Sequence, residues 1–234
     1  MNRDSDCRPV ISRPDAGIAV VTRWMVSDVE IQRALVEAIA AWWKGTPWPQ
    51  GLLSVYCLTS TDGTSVVTYS QWTSETAWQE SNSESLIAPA CEFPGIERGE
   101  PVAYQLYRGS TRDGAPAPGC VVLVSVQFDG PDKERQKRWI DAVFEALESE
   151  PKLPEGGISG YFHVSLDGTR VLNYAEWTSE EAHREALEKS GQEAMGPNPK
   201  WRIVQTYPGI ASSRVGRYKV AHGLSIPVVF ERVA

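Results

Sequence analysis

Apolar and polar positions along this chain run through the same order twice. Residues 17–24 and 120–128 are apolar, β-branched runs of strand length. Each is followed by an apolar stripe at helical spacing: Ile31, Leu35, Ala38, Ile39 and Trp42 in the first round, Ile140, Val143, Phe144 and Leu147 in the second. Ser27 and Glu30 predict a capping box for the first helix, and Pro131 suits the opening turn of its counterpart. Loops rich in proline and glycine follow (45–51 and 151–157), then paired strands around Asp62-Gly63 and Asp167-Gly168, the signal of a tight hairpin. A second helix is expected from Thr73-Ser74 and from Thr178-Ser179, the latter with Thr178 and Glu181 spaced as a capping box. The rounds close on strands over 102–107 and 214–220. Ile226, Val228 and Phe230 alternate in one further strand over 221–234, with Pro227 suiting an edge.

The two rounds are copies. Residues 62–77 (DGTSVVTYSQWTSETA) and 167–182 (DGTRVLNYAEWTSEEA) share ten of 16 positions at a constant offset of 105. Composition alone would give about one. Phe93-Pro94-Gly95-Ile96 and Tyr207-Pro208-Gly209-Ile210 lie 114 apart, so the second copy carries nine extra residues after its tryptophan. A period near 105 is that of a compact domain rather than a solenoid unit. The order β-α-β-β-α-β is the split βαβ, ferredoxin-like arrangement. The fold class is therefore α+β, with two tandem ferredoxin-like modules. Such a sheet carries helices on one face only. A second copy covers the other face best, which predicts an intramolecular pseudo-dimer. The expected division is a tail over 1–16, module 1 over 17–112 and module 2 over 118–234.

Composition narrows the partners. A net charge of −7 without a basic tract speaks against nucleic acid and anionic membrane. Cys7, Cys57, Cys91 and Cys120 are scattered without a CxxC pair, as in reduced cytosolic proteins. The polar start and the lack of a membrane-length apolar stretch point the same way, to the cytoplasm. His163, His183 and His222 lack metal-ligand spacing, and no glycine fingerprint for a flavin or nicotinamide is present. Nine tryptophans are the oddity, fitting either core mass or the walls of a planar-ligand site.

The segment Asn173-Tyr174-Ala175-Glu176-Trp177-Thr178-Ser179, with the closing phrase over 99–108, resembles the antibiotic biosynthesis monooxygenase family of dimeric α/β-barrel proteins. The resemblance implies one such barrel built within a single chain. It also implies a cofactor-independent monooxygenase that oxidises an anthrone-type aromatic polyketide intermediate to a quinone with dioxygen. A polyketide cyclase and a non-catalytic binding module are the alternatives, with haem degradation a weaker one. Asn173 and Trp177 match the family's Asn-x-x-x-Trp pair, which contacts substrate in its quinone-forming members. Strand alternation puts 173, 175 and 177 on one face. By residue type alone, Asn173 could equally serve a turn or a buried backbone group, and the tryptophans could be core.

His183 stands where quinone-forming relatives present a tyrosine, and could take a proton from the substrate carbon or donate to a peroxide. The resemblance makes Asn173, Trp177 and His183 the catalytic candidates and Trp72, Tyr174 and Arg202 the substrate-binding ones, with neither metal nor cofactor. Copy one has Thr68 and Trp72 at the pair, so it lacks the amide. Chemistry is therefore expected in copy two, whose longer loop over 184–207 could form a lid. The expected partners are a small aromatic substrate and dioxygen, with further homodimerisation left open.

Overall fold

The computed structural model describes residues 8–81, 88, 93–150, 152, 154–193 and 199–228. The chain divides into two compact units, unit 1 comprising 1–105 and 218–234 and unit 2 comprising 106–217. Both are α+β and ferredoxin-like. Their limits differ from a simple split of the sequence because two long strands, β5 (Val102–Thr111) and β9 (Ile210–Ser225), each begin in one unit and end in the other.

Unit 1 is built from β1 (Ile18–Met25), α1 (Val29–Gly45), β2 (Leu52–Ser60), β3 (Ser65–Trp72), α2 (Glu75–Glu80) and the two-residue β4 (Glu97–Arg98). β1 runs antiparallel to β3 from Ile18↔Trp72 to Met25↔Ser65, and β3 pairs with β2. The first residues of β5 flank β1, and residues 218–225 of β9 flank β2. Unit 2 repeats the plan with β6 (Cys120–Phe128), α3 (Lys133–Glu148), β7 (Gly157–Ser165), β8 (Arg170–Trp177), α4 (Glu180–Glu193) and α5 (Pro199–Gln205). Its strand order is β9-β6-β8-β7-β5.

The repeat extends to single hydrogen bonds. Asp28 and Asp132 cap α1 and α3, accepting from Ile31 N at 2.9 Å and Arg135 N at 2.8 Å. Ser74 and Ser179 cap α2 and α4, accepting from Ala77 N and Ala182 N. The capping boxes expected at Ser27 and Thr178 are therefore displaced by one residue, and Pro131 precedes the cap rather than following it. At Asp28 the carboxylate wins because it accepts more strongly than a hydroxyl, and Ser27 donates to it instead. In each hairpin the aspartate accepts from the threonine two residues on (Asp62 from Thr64, Asp167 from Thr169), and Gly63 and Gly168 take the positive φ the turn needs.

Two expectations change. Residues 8–16 are tied down within unit 1: Arg13 is buried, pairs with both Asp15 oxygens at 2.7 Å and donates to Leu53 O. Val10 and Ile11 carbonyls accept from Gln71 Nε2. At the other end, 221–225 continue β9 without a break, while Ile226 and Val228 lie past its end. Phe230 falls outside the described residues. Among the described residues, no helix is long and apolar enough to cross a membrane. Cys57 and Cys120 are buried thiols outside any disulfide, and burial pushes the Cys57 thiol pKa up. Cys7 and Cys91 lie outside the described residues.

Candidate functional site

Strand β8 sorts its side chains by alternation. Val171, Asn173, Ala175 and Trp177 share one face; Leu172, Tyr174 and Glu176 share the other. The first face meets α3, since Val171 lies in a core with Val126, Phe162 and the α3 residues Trp139, Ile140, Val143 and Phe144. Asn173 therefore sits in the layer between sheet and helix. Its register partners are Val124 and Phe162; those of Ala175 are Val122 and Gly160, and those of Trp177 are Cys120 and Gly157. Cys120, Val122 and Ala175 form a small apolar floor bordered by Val124 and Trp177.

A Cβ placed on Gly160 would stand at ordinary contact distance, 3.7 Å, from both Asn173 Oδ1 and Phe162 Cε2, so the glycine withholds a methyl from beside that amide oxygen. Asn173 Oδ1 is buried and has no hydrogen-bond partner. Leaving a buried acceptor unsatisfied costs about 1–3 kcal/mol.

His183, in the first turn of α4, meets the Trp177 indole edge-on, with centroids 4.8 Å apart and planes at 74°. It is buried, only 5% exposed, although it stands on a helix. Arg217 on β9 donates from Nε to His183 Nδ1 at 3.0 Å. A guanidinium has no lone pair to offer, so Nδ1 accepts and the neutral ring carries its hydrogen on Nε2. Burial, then the charges of Arg217 and Arg184, push the His183 pKa down to about 4 against the pull of Glu180. At neutral pH the imidazole is thus a donor at Nε2. Its Nδ1 lone pair is engaged, which leaves the donor role and not the base role.

Unit 1 fills the same layer. At the offset of 105, Gly160 becomes Val55 and Gly157 becomes Leu52, each 2% exposed. Asn173 becomes Thr68 and Ala175 becomes Ser70, whose hydroxyl accepts from Trp72 Nε1 at 3.0 Å. Trp72 is 1% exposed, while Trp177 is half-buried. Trp43 of α1 packs in this unit, stacked on His222, where α3 has the smaller Leu147. His183 and Arg217 correspond to Trp78 and to Ala103, the latter at the offset of 114.

The predicted residues do not all gather. Asn173, Trp177 and His183 share one side of unit 2. Tyr174 is fully buried on the opposite face of β8, with His163, whose pKa burial pushes down to about 4. Trp72 belongs to the core of unit 1. Arg202 is exposed on α5, which packs on α3 through Val204 and through Trp139 Nε1 donating to the Val204 carbonyl at 3.2 Å. The cation that reaches the group is Arg217. Much of the expected loop over 184–207 is helix, α4 and α5, with 194–198 outside the described residues. The sequence reading passed over Gly157, Gly160 and Arg217. Aligning the copies would have flagged all three, as Leu52, Val55 and Ala103 stand opposite them. Among the described residues, no group of His, Cys, Asp and Glu is placed to hold a metal ion.

No family model matches the chain. A segment of 66 residues is 38% identical to tetracenomycin-F1 monooxygenase of Streptomyces glaucescens; it makes up 28% of this chain and 57% of that protein. The chain thus spans little more than half the length of the curated relative it matches. Among solved structures, an anthrone oxidase-like protein aligns over 93% of this chain and 96% of its own, with a TM-score of 0.72 and 17% identity. A candidate monooxygenase of Fusobacterium nucleatum subsp. nucleatum aligns over 92% and 97%, with a TM-score of 0.57 and 13% identity. These likenesses show the fold across both units.

Proposed function

We propose that this chain, an antibiotic biosynthesis monooxygenase-like protein of ferredoxin fold, oxidises a planar, phenolic anthrone-type polyketide with dioxygen, and that unit 2 does so. The observation that carries this reading is the unpartnered, buried Asn173 Oδ1 beside Gly160. Kinship with a polyketide monooxygenase supports the reaction class.

The residues divide the work as follows. Asn173 Oδ1 accepts from a phenolic or enolic hydroxyl and so orients the ring. The indole of Trp177 forms an apolar wall; at its side Ala175 replaces the serine that engages the indole of unit 1. His183 donates from Nε2, with Arg217 holding the ring in that tautomer. The substrate supplies the electrons. A proton leaves the methylene carbon, the resulting enolate reduces dioxygen, and a C–O bond forms to give a peroxide. Loss of the second C–H proton breaks the O–O bond and leaves a carbonyl on carbon; the distal oxygen takes up the two protons shed by carbon and departs as water, while the neutral His183 steadies its developing charge by a hydrogen bond from Nε2–H. One anthrone and one dioxygen thus give one quinone and one water.

Oxygen uptake with 1,8-dihydroxyanthrone tests the reading. Wild type is expected to consume one dioxygen per quinone, and Asn173→Ala and Trp177→Phe to lose most of that rate while remaining folded. Equal quinone yields with and without oxygen, or a product formed by loss of water alone, would overturn it; the latter is the mark of a cyclase.

A further inference from the structure

The two copies differ more at two glycines than at the asparagine itself. We infer that Gly160, backed by Gly157, is the specificity-determining position of unit 2, keeping open a slot for the edge of a planar phenol whose hydroxyl reaches Asn173 Oδ1. The slot rests on the site of the proposed function but not on its oxygen chemistry.

Glycine is not required here by the backbone. Neither Gly157 nor Gly160 has a positive φ, unlike Gly63 or Gly168. Within a strand, a glycine in ordinary conformation forgoes side-chain packing, and it marks a place where something else approaches closely. At Gly160 the approach is toward Asn173. A hydroxyl must come within about 2.5–3.0 Å of the amide oxygen to bond. A Cβ on residue 160 would sit 3.7 Å from that oxygen and 3.7 Å from Phe162 Cε2, at ordinary contact distance. One methyl therefore fits without strain and takes the place in front of the acceptor; the two further methyls of valine fill what is left.

The fold itself tolerates that filling. Unit 1 has valine at the equivalent place, Val55, paired with Ser70 and fully packed. β-Branched residues also suit strands better than glycine does. Gly157 plays the lesser part, since a Cβ there meets the Pro154 carbonyl at 3.3 Å before it comes to 3.9 Å from Trp177 Cη2. Its absence bares the rim of the indole that Leu52 faces in unit 1.

Binding of 1,8-dihydroxyanthraquinone, already at the quinone level and unable to turn over, provides the test through quenching of tryptophan fluorescence. The two-ring phenol 1-naphthol serves as a smaller probe. Wild type is expected to bind the tricyclic probe. Gly160→Val is expected to weaken it about 10- to 100-fold, the scale of one lost buried hydrogen bond, with the melting temperature held or raised. Gly160→Ala should weaken the tricyclic probe more than 1-naphthol, and Val55→Ala should bind as wild type does.

Gly160→Val binding within about twofold of wild type, or wild type failing to bind the tricyclic probe, overturns the inference. Should Gly160→Val not fold, the ratio of the two probes in Gly160→Ala decides: an equal loss for both overturns it, and a larger loss for the tricycle supports it. Because the probe consumes no oxygen, wild-type binding without oxygen uptake on the anthrone would sink the oxygenase reading and leave the slot standing.

Discussion

The sheet-to-helix layer of unit 1 and that of unit 2 descend from one pattern and have been put to opposite uses. In unit 1, Val55, Leu52 and Trp43 close the space, and Ser70 engages the Trp72 indole. In unit 2, two glycines and an alanine open it, and an amide oxygen is left waiting. The run β1-α1-β2-β3-α2 is matched by β6-α3-β7-β8-α4, down to the aspartate caps, the Asp-Gly turns and the glutamines Gln32 and Gln136. Those glutamines donate to equivalent strand carbonyls, Ser60 O at 3.0 Å and Ser165 O at 3.4 Å. On the proposed function, a handful of side-chain volumes, not a change of fold, separates the structural copy from the binding one.

The comparison can be pressed hardest at the two tryptophans. Trp72→Ala empties a sealed core and should cost about 3–5 kcal/mol of stability. Trp177→Ala removes an indole that is only partly buried and should cost less, while abolishing turnover. Guanidinium denaturation of the two variants measures this, and equal losses would break the contrast.

A pH effect comes next. His163 and His183, both in unit 2, are held neutral with pKa values near 4, below the unfolded value of about 6.5. Between those values the unfolded chain binds protons that the fold refuses, so stability falls as pH drops from 6.5 toward 4. The loss is up to about 3 kcal/mol for a fully buried histidine. Urea midpoints at pH 7 and pH 4.5 should show the decline, and His163→Asn should flatten it. A flat profile in wild type would mean that these rings are protonated in the fold.

Smaller effects distinguish the polar groups. Ser70→Ala removes the partner of the Trp72 indole and should destabilise by about 1 kcal/mol without touching turnover. The reciprocal Ala175→Ser in unit 2 should be near neutral for stability and lower the rate, by offering the Trp177 indole a hydroxyl. Asn173→Ala should hold or raise stability, because removing an unsatisfied buried acceptor relieves a cost of about 1–3 kcal/mol that offsets the lost packing. A large destabilisation there, seen by differential scanning calorimetry, would make Asn173 a structural residue.

The duplication, the ferredoxin-like order, the hairpin turns and the asymmetry between Asn173 and Thr68 were legible in the sequence because they depend on local spacing. A 105-residue offset, a period of two along β8 and an Asp-Gly pair need no knowledge of what lies across the sheet. Helix starts were readable only to within one residue, since Ser27 competes with Asp28, and Thr178 with Ser179, for the same backbone amides.

Which groups meet was decided by the tertiary structure. Arg217 lies 34 positions beyond His183 on another element, and only the pairing of β9 in unit 2 brings its Nε to the imidazole. Arg202, closer in sequence, lies exposed on α5. Long-range strand pairing likewise splits β5 and β9 between the units, although each reads as a single segment along the chain. The sequence by itself determined that there are two copies and that the second alone keeps an asparagine beside its tryptophan. Only the folded chain decided that this asparagine's amide oxygen is buried without a partner, because what surrounds it, Gly160 and Phe162, comes from a neighbouring strand that no local spacing encodes.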